Sequence, residues 1–295
     1  MIKEFALDPA VPAQSFKDCR YFLDALRIEN GRVLARFPKN WKQMVYEAAG
    51  ALHQGKVELS RIETCLARLS KCALFSCSRP SGDPEAPWVA RALAEHERQP
   101  FAAIISLNAI SAKPYVLDAD DVYSSVVFQA TGQREIARTS EEIVACVGLI
   151  LRAAKTVKLI DPYFEARKLR WRRGLQRLIE IVPAGTTVEI HRADDGALPA
   201  NVRSWFDGHV QRVLKSGVTV KVFLHPKAKM HNRYILTDQG GASFGAGLDD
   251  HEDGDEGMAG DDDVTLLTEE QRDAKWKKYE SAEGPFLILR AEGDE

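Results

Sequence analysis

Two kinds of apolar spacing alternate along the chain. Short runs rich in β-branched and apolar residues sit between longer stretches in which apolar positions return every three or four residues. The short runs are Arg32 to Phe37, Cys72 to Phe75, Phe101 to Ser106, Tyr123 to Ala130, Val157 to Phe164, Thr187 to Arg192, Val218 to Leu224, Tyr234 to Thr237, Gly241 to Gly247 and Pro285 to Arg290. Each predicts a strand. The longer stretches predict helices over Ser15 to Ile28, Trp41 to His53, Arg61 to Leu69, Ala86 to Arg98, Thr139 to Ala154, Ala166 to Ile181, Asn201 to Lys215 and Thr268 to Tyr279. Ser60 with Glu63 three residues on reads as a helix cap, and Thr139-Ser140-Glu141-Glu142 as another. Strands alternating with helices at this spacing mean βαβ units, hence an α/β fold. The 295 residues suffice for two domains. The division falls between an N-terminal α/β domain, residues 1–135, and a second domain, residues 136–295, with a mixed sheet flanked by helices.

One strand carries chemistry in its flanks. Around Tyr234-Ile235-Leu236-Thr237 the sequence places His231, Arg233 and Asp238, a His-x-Arg-x-x-x-x-Asp pattern. If the strand extends back to His231, residues 231, 233 and 235 share one face. An imidazole attacks phosphorus or transfers a proton. A guanidinium offers a planar fork of donors to phosphate oxygens. Asp238, at the far end, is expected to orient one of them. The spacing alone is a weak signal; the strand candidate before it and the glycine-rich return after it (Gly240-Gly241, then Gly245-Ala246-Gly247-Leu248-Asp249) give it context.

The stretch resembles the active-site motif of the phospholipase D superfamily, His-x-Lys-x-x-x-x-Asp followed by a Gly-Ser-x-Asn strand. Val157 to Phe164, ending in Asp161-Pro162-Tyr163-Phe164, is similar to the strand with which many such domains open, so the resemblance covers about residues 140–295. Arg233 stands where the family usually has Lys, and Gly241 to Gly247 lacks the Asn. The resemblance implies a phospholipase D-like sheet and a metal-independent phosphodiesterase. His231 would be the nucleophile and form a phosphohistidine, Arg233 would neutralise the pentacovalent state, and Asp238 would hold the geometry. The family pairs two motifs across a two-fold axis, and this chain has one. His225-Pro226-Lys227 is the nearest second match, but Asn232 stands where its Asp would be. A homodimer sharing one site is therefore the expectation. Tyr163, Asp161, Lys229 and Ser243 are expected near the substrate. His191 and His209 are weaker candidates.

Charge narrows the substrate. The net charge of −3 declares no nucleic-acid partner, but its distribution is uneven. Residues 165–177 hold six basic side chains around Trp171, and Arg170, Trp171, Arg172 and Arg173 read as phosphate and base contacts. Residues 249–263 hold nine acidic ones; Asp249 to Glu256 lacks EF-hand spacing and reads as a mobile acidic loop rather than a metal site. No apolar run reaches the ~20 residues of a membrane span, and Met1 to Phe5 lacks the apolar core of a signal peptide. Cysteines 19, 65, 72, 77 and 146 show no framework or zinc spacing and read as unpaired packing residues of a cytoplasmic protein. The expectation is a nuclease acting on DNA or RNA, with no cofactor or metal and no membrane. The alternatives are a lipid phosphodiesterase or transphosphatidylase, and a non-catalytic partner-binding protein of a bacterial multigene defence system. The 1–135 domain carries no motif and reads as structural or partner-binding.

Overall fold

A computed structural model describes residues 1–69, 74–75, 79–129, 131–250, 260–280 and 284–291. Two compact units emerge, Ile2–Thr131 and Gly132–Glu295. Both are α/β; one sheet is all parallel and the other mixed.

The first unit runs β1 (Lys3–Leu7), α1 (Ala10–Ala13), α2 (Phe16–Ala25), β2 (Arg32–Ala35), α3 (Trp41–His53), α4 (Val57–Ala67), β3 (Leu74–Phe75), α5 (Trp88–Arg98), β4 (Ala103–Ser106) and β5 (Val116–Asp118). The sheet order is β3-β2-β1-β4-β5, every pair parallel. A parallel sheet needs cover on both faces, and the period-2 alternation supplies it. Phe5 and Leu7 of β1 and Ile105 of β4 pack with Phe22, Trp41, Val45, Ile62 and Leu66. Ala6 and Ile104, which alternate with them, pack with Phe37, Trp88 and Ala92.

The second unit runs β6 (Gln133–Ala137), α6 (Ser140–Arg152), β7 (Thr156–Ile160), α7 (Leu169–Ile181), β8 (Thr187–Asp194), α8 (Pro199–His209), β9 (Thr219–Pro226), β10 (Arg233–Thr237), β11 (Gly241–Phe244), β12 (Asp261–Leu266), α9 (Glu269–Lys278) and β13 (Leu287–Arg290). Its sheet order is β13-β9-β8-β7-β10-β11-β12-β6. The centre, β7-β8-β9, is parallel, and its Val157, Val188, Ile190, Val220 and Val222 are buried. The remaining pairs are antiparallel. Thr139 caps α6 by accepting from the Glu142 amide, and Thr268 with Gln271 forms a capping box on α9. Among the described residues no helix is long and apolar enough to cross a membrane.

Several elements differ from the sequence reading. α4 begins at Val57, so Ser60 lies inside the helix instead of capping it. Residues 122–124 form a 3-10 turn and 125–129 continue irregularly; the edge strand of that sheet is the three-residue β5. β6 went unpredicted because four of its five residues are exposed, leaving only Ile136 to signal burial. β12 was hidden in the acidic run, yet it alternates exposed Asp261, Asp263 and Thr265 with buried Asp262, Val264 and Leu266. Cys72, Ala73, Cys77 and Ala130 lie outside the described residues; Cys19, Cys65 and Cys146 are free thiols.

Candidate functional site

His231 is set by the loop between β9 and β10 rather than by the strand. Pro226 ends β9, residues 227–229 form a 3-10 turn, and strand pairing resumes at Arg233. His231 therefore does not ride the strand beside Arg233 as expected. The loop is tethered instead by Met230, which is 3% exposed and packs against Ile160, Ala193 and Tyr234. His231 is exposed, and its Nε2 lies 3.0 Å from the Ala228 carbonyl. A carbonyl only accepts, so Nε2 carries the proton and the lone pair sits on Nδ1.

His231 and Arg233 nevertheless line one cleft of about 910 Å³, beyond the carboxyl ends of β7 and β8. Arg233 donates from Nη1 to the Gly245 carbonyl at 3.1 Å, and its guanidinium lies 5.3 Å from the exposed Tyr163 ring. The registers pair Tyr234 with Ile160 and Ile160 with His191. One residue further along each ladder, Arg233, Asp161 and Arg192 form a row across three strands. Asp161 is 1% exposed. Its Oδ1 accepts from the Tyr163 amide at 2.8 Å and its Oδ2 from the Leu248 amide at 3.1 Å. Burial nonetheless pushes its pKa up to about 6, against the lowering pull of those amides and of Arg233.

A second carboxylate organises the adjacent wall. Asp249 accepts from Arg138 Nη2 at 2.7 Å on both oxygens, and Arg170 Nε lies 3.2 Å from its Oδ2. Asp250 accepts from the Ser140 amide and hydroxyl, each at 3.1 Å, at the first turn of α6. These two residues are buried and fixed, so the expected mobile acidic loop does not begin with them. Residues 251–256 of that run lie outside the described residues. Gly247 keeps this wall closed: a Cβ there would lie 2.6 Å from Oδ1 of Asp249, a carboxylate that Arg138 and Arg170 hold in place.

The other predicted residues divide. Asp161, Tyr163, Arg170 and Trp171 line the cleft. Trp171, however, is only 4% exposed and packs on Phe164 at 5.4 Å, so its ring is core rather than a stacking platform. Arg172 bonds His209 at 2.8 Å, and neither Arg172 nor Arg173 reaches the cleft wall. The 3-10 turn presents Lys227 to the cleft and not Lys229. Ser243 pairs with Tyr234, so it stands on the side of the sheet opposite Arg233. Asp238 lies five residues past Arg233, about 17 Å at strand rise. There its Oδ1 accepts from the Lys155 and Thr156 amides at 2.8 and 3.2 Å. It anchors the start of β7 and orients neither His231 nor Arg233. His191 does not edge the cleft: it is fully buried on the Tyr234 side, bonded to Glu189 and His225.

Sequence reasoning missed Arg138, Arg192 and Asp249 as cleft residues. Period-2 alternation was the available signal for Arg192, which follows His191 and precedes buried Ala193 on a predicted strand. Together the cleft offers an open imidazole lone pair, a set of guanidinium groups and carboxylates that are each engaged by neighbours. The chain matches no protein-family model, and no curated protein matches it in sequence.

Proposed function

We propose that the chain is a phosphodiesterase of the phospholipase D type, acting on nucleic acid without a metal. The observation that carries this reading is the joint placement of the His231 lone pair and the Arg233 guanidinium on one cleft. His231 Nδ1 attacks phosphorus, a P–N bond forms and the P–O bond to the leaving oxygen breaks. A general acid protonates that oxygen. Water then attacks the phosphohistidine, the P–N bond breaks, and the proton that water loses restores the acid. Arg233 and its neighbouring cations take up the charge of the pentacovalent state, so the protein itself supplies what a metal would. The cleft carboxylates do not converge on a common point: Asp161 serves backbone amides, Asp249 serves Arg138 and Arg170, and Asp195 serves Arg192.

Among the described residues His231 is the one imidazole lining the cleft. The acid is then His231 of a second copy, with the site on a two-fold axis of a homodimer. Asp161, with its raised pKa and its place beside Arg233, supports a second reading in which the acid comes from within the chain. Six cations line the cleft (Arg138, Lys168, Arg170, Arg192, Lys227 and Arg233) against four carboxylates (Asp161, Glu165, Asp195 and Asp249), a basic surplus that favours a polyanion over a lipid headgroup. On this reading the protein acts in the cytoplasm; the alternative is a non-catalytic protein that binds a partner of a bacterial defence system through its N-terminal unit.

The test is hydrolysis of labelled DNA and RNA, single- and double-stranded, with and without EDTA. Wild type should cleave in EDTA, and His231→Ala should lose at least about 10³-fold. Activity that needs magnesium and survives His231→Ala refutes the reading. For the dimer, sedimentation equilibrium should give twice the chain mass. Mixing His231→Ala with Arg233→Ala should leave shared sites inactive, since each still lacks a histidine. A fully active monomer moves the acid to Asp161.

A further inference from the structure

Arg192 is a cleft cation to which the proposed reaction gives no role of its own. Its side chain is 4% exposed, and it forms part of the cleft wall. Nη2 pairs with Asp195 at 2.7 Å, and Nε donates to the Ala193 carbonyl at 3.1 Å. Nη1 is buried and has no acceptor among the described residues. A buried donor of a charged group left unsatisfied is costly, so an acceptor arriving from the cleft relieves that cost. The two made bonds fix the fork in advance, and little freedom is lost when a ligand arrives.

Closing the turn after β8 through Asp195 accounts for Nη2 alone. It does not account for a guanidinium whose third nitrogen is left over at a cleft wall. Position supplies the rest. Arg192 ends the Arg233–Asp161–Arg192 row, two strand spacings from Arg233, which puts the two Cα atoms roughly 10 Å apart. Asp161 between them has both oxygens occupied by backbone amides, so it does not close on either arginine.

We propose that Arg192 forms a second phosphate subsite, so that the cleft takes two phosphates of one polynucleotide backbone: the scissile one at His231 and Arg233, and a neighbour at Arg192. This rests on the phosphodiesterase reading and narrows it, because a phospholipid diester with one phosphate leaves Arg192 unused.

The experiment compares a single-stranded tetranucleotide with bis(4-nitrophenyl) phosphate, which has one phosphate. Arg192→Gln should raise KM for the tetranucleotide at least tenfold and change kcat/KM for the small diester less than twofold. Arg192→Lys should recover most of the tetranucleotide KM. Equal loss on both substrates, or loss on neither, overturns the subsite. Asp195 is about half exposed, so Asp195→Asn is a second variant that folding tolerates. Freed of a competing carboxylate, Arg192 should then bind the tetranucleotide with a lower KM; an unchanged or higher KM counts against the proposal. If wild type cleaves neither substrate, the phosphodiesterase reading fails, and the subsite is judged by binding alone. Fluorescence anisotropy of a labelled oligothymidylate should show a log K against log salt slope shallower by about 0.7 in Arg192→Gln, one phosphate contact fewer. An identical slope overturns the subsite independently of catalysis.

Discussion

On one side of strands β7 and β8 the ladder sets Asp161 beside Arg192; on the other it sets Lys158 beside Glu189 and Ile160 beside His191. Both sides bury charged and titratable side chains, but the second side closes on itself. Lys158 Nζ lies 2.7 Å from Glu189 Oε2 and donates to the Tyr279 carbonyl at 3.1 Å. His191 Nε2 lies 3.3 Å from the same Glu189 oxygen, and His191 Nδ1 lies 2.9 Å from His225 Nε2. Glu189 as carboxylate only accepts, so protons run from His225 to His191 to Glu189 in one direction. Burial pushes the Glu189 carboxyl up, but the bonds from His191 and Lys158 outweigh it and hold the pKa below the usual range. On the cleft side, Arg192 keeps a donor unsatisfied and the His231 lone pair is open. Residue type does not separate structural from functional charge here. What separates them is whether the hydrogen-bond chain ends inside the protein or at a cavity wall.

Exchanging the damage between the two sides tests that distinction, with the largest effects first. Arg233→Ala should cut phosphodiester turnover about 10²–10³-fold, the cost of one transition-state donor, while thermal unfolding stays within a few degrees of wild type. Arg233→Lys should cost less. Glu189→Ala should do the reverse. It leaves His191 Nε2 buried without its acceptor and Lys158 without its counter-charge, with the Tyr279 carbonyl as its remaining acceptor, a loss of about 3–5 kcal/mol, yet turnover of the folded protein should stay within about threefold. If Glu189→Ala abolishes turnover in protein that is still folded, the Lys158–Glu189–His191–His225 chain belongs to the reaction.

How much of this was legible beforehand depended on what each residue's signal was. Strong periodicity survived translation into structure: α3 spans Trp41–His53, as its spacing predicts, and the Thr139 cap of α6 is present. The strands β5, β6 and β12 escaped for separate reasons: β5 is three residues long, edge strand β6 exposes four of its five residues, and β12, paired between β11 and β6, alternates exposed polar residues with a buried face that includes an Asp. In the site, linear proximity placed His231 and Arg233 correctly on one cleft. It failed for Asp238, the eighth position of the motif, because β10 carries the chain away from the cleft between Arg233 and Asp238. It also failed for Arg138, Arg192 and Asp249, which reach the cleft only through pairing of segments distant in sequence. Trp171 misled for another reason: an aromatic among arginines fits a binding surface and an amphipathic helix equally, and the buried stripe of α7 (Trp171, Leu175, Leu178) claims it.

The two sides should also titrate in opposite senses. Burial pushes the Asp161 carboxyl up from its ordinary 3.8 to about 6, so its stabilisation is complete below pH 4 and lost as pH rises to about 6. His225 is pushed down from 6.5 to about 4 by burial and by the nearby His191 and Lys158, so its stabilisation holds above pH 6.5 and is lost as pH falls toward 4. His191 shifts in the same direction as His225, chiefly through burial. The two sides therefore offset one another across pH 4–6.5. Asp161→Asn removes one of them, a contribution of roughly 3 kcal/mol. Hydrogen exchange of the β7 and β8 amides should then show protection falling more steeply with acid than in wild type. Parallel profiles would mean that Asp161 is not ionising in this range.

The smallest effect concerns the motif's own third member. Asp238 belongs to the pattern by sequence, but its Oδ1 accepts from the first two amides of the β7 approach, and its Oδ2 accepts from Gln239 Nε2 at 2.9 Å. Those bonds sit near the surface, so Asp238→Ala should cost about 1–2 kcal/mol, two ordinary hydrogen bonds with a charged acceptor. The loss should appear as faster exchange at Lys155 and Thr156. Asp238→Asn keeps an acceptor in the same place and should recover most of it. Neither substitution changes the distance between His231 and Arg233, because Met230 and the Tyr234–Ile160 pairing fix the cleft end of β10 separately. kcat for both variants should therefore stay within about twofold of wild type. A hundredfold fall in kcat for Asp238→Asn, in protein with native exchange at β7, would return Asp238 to the active site and show that the two ends of β10 are coupled through the strand.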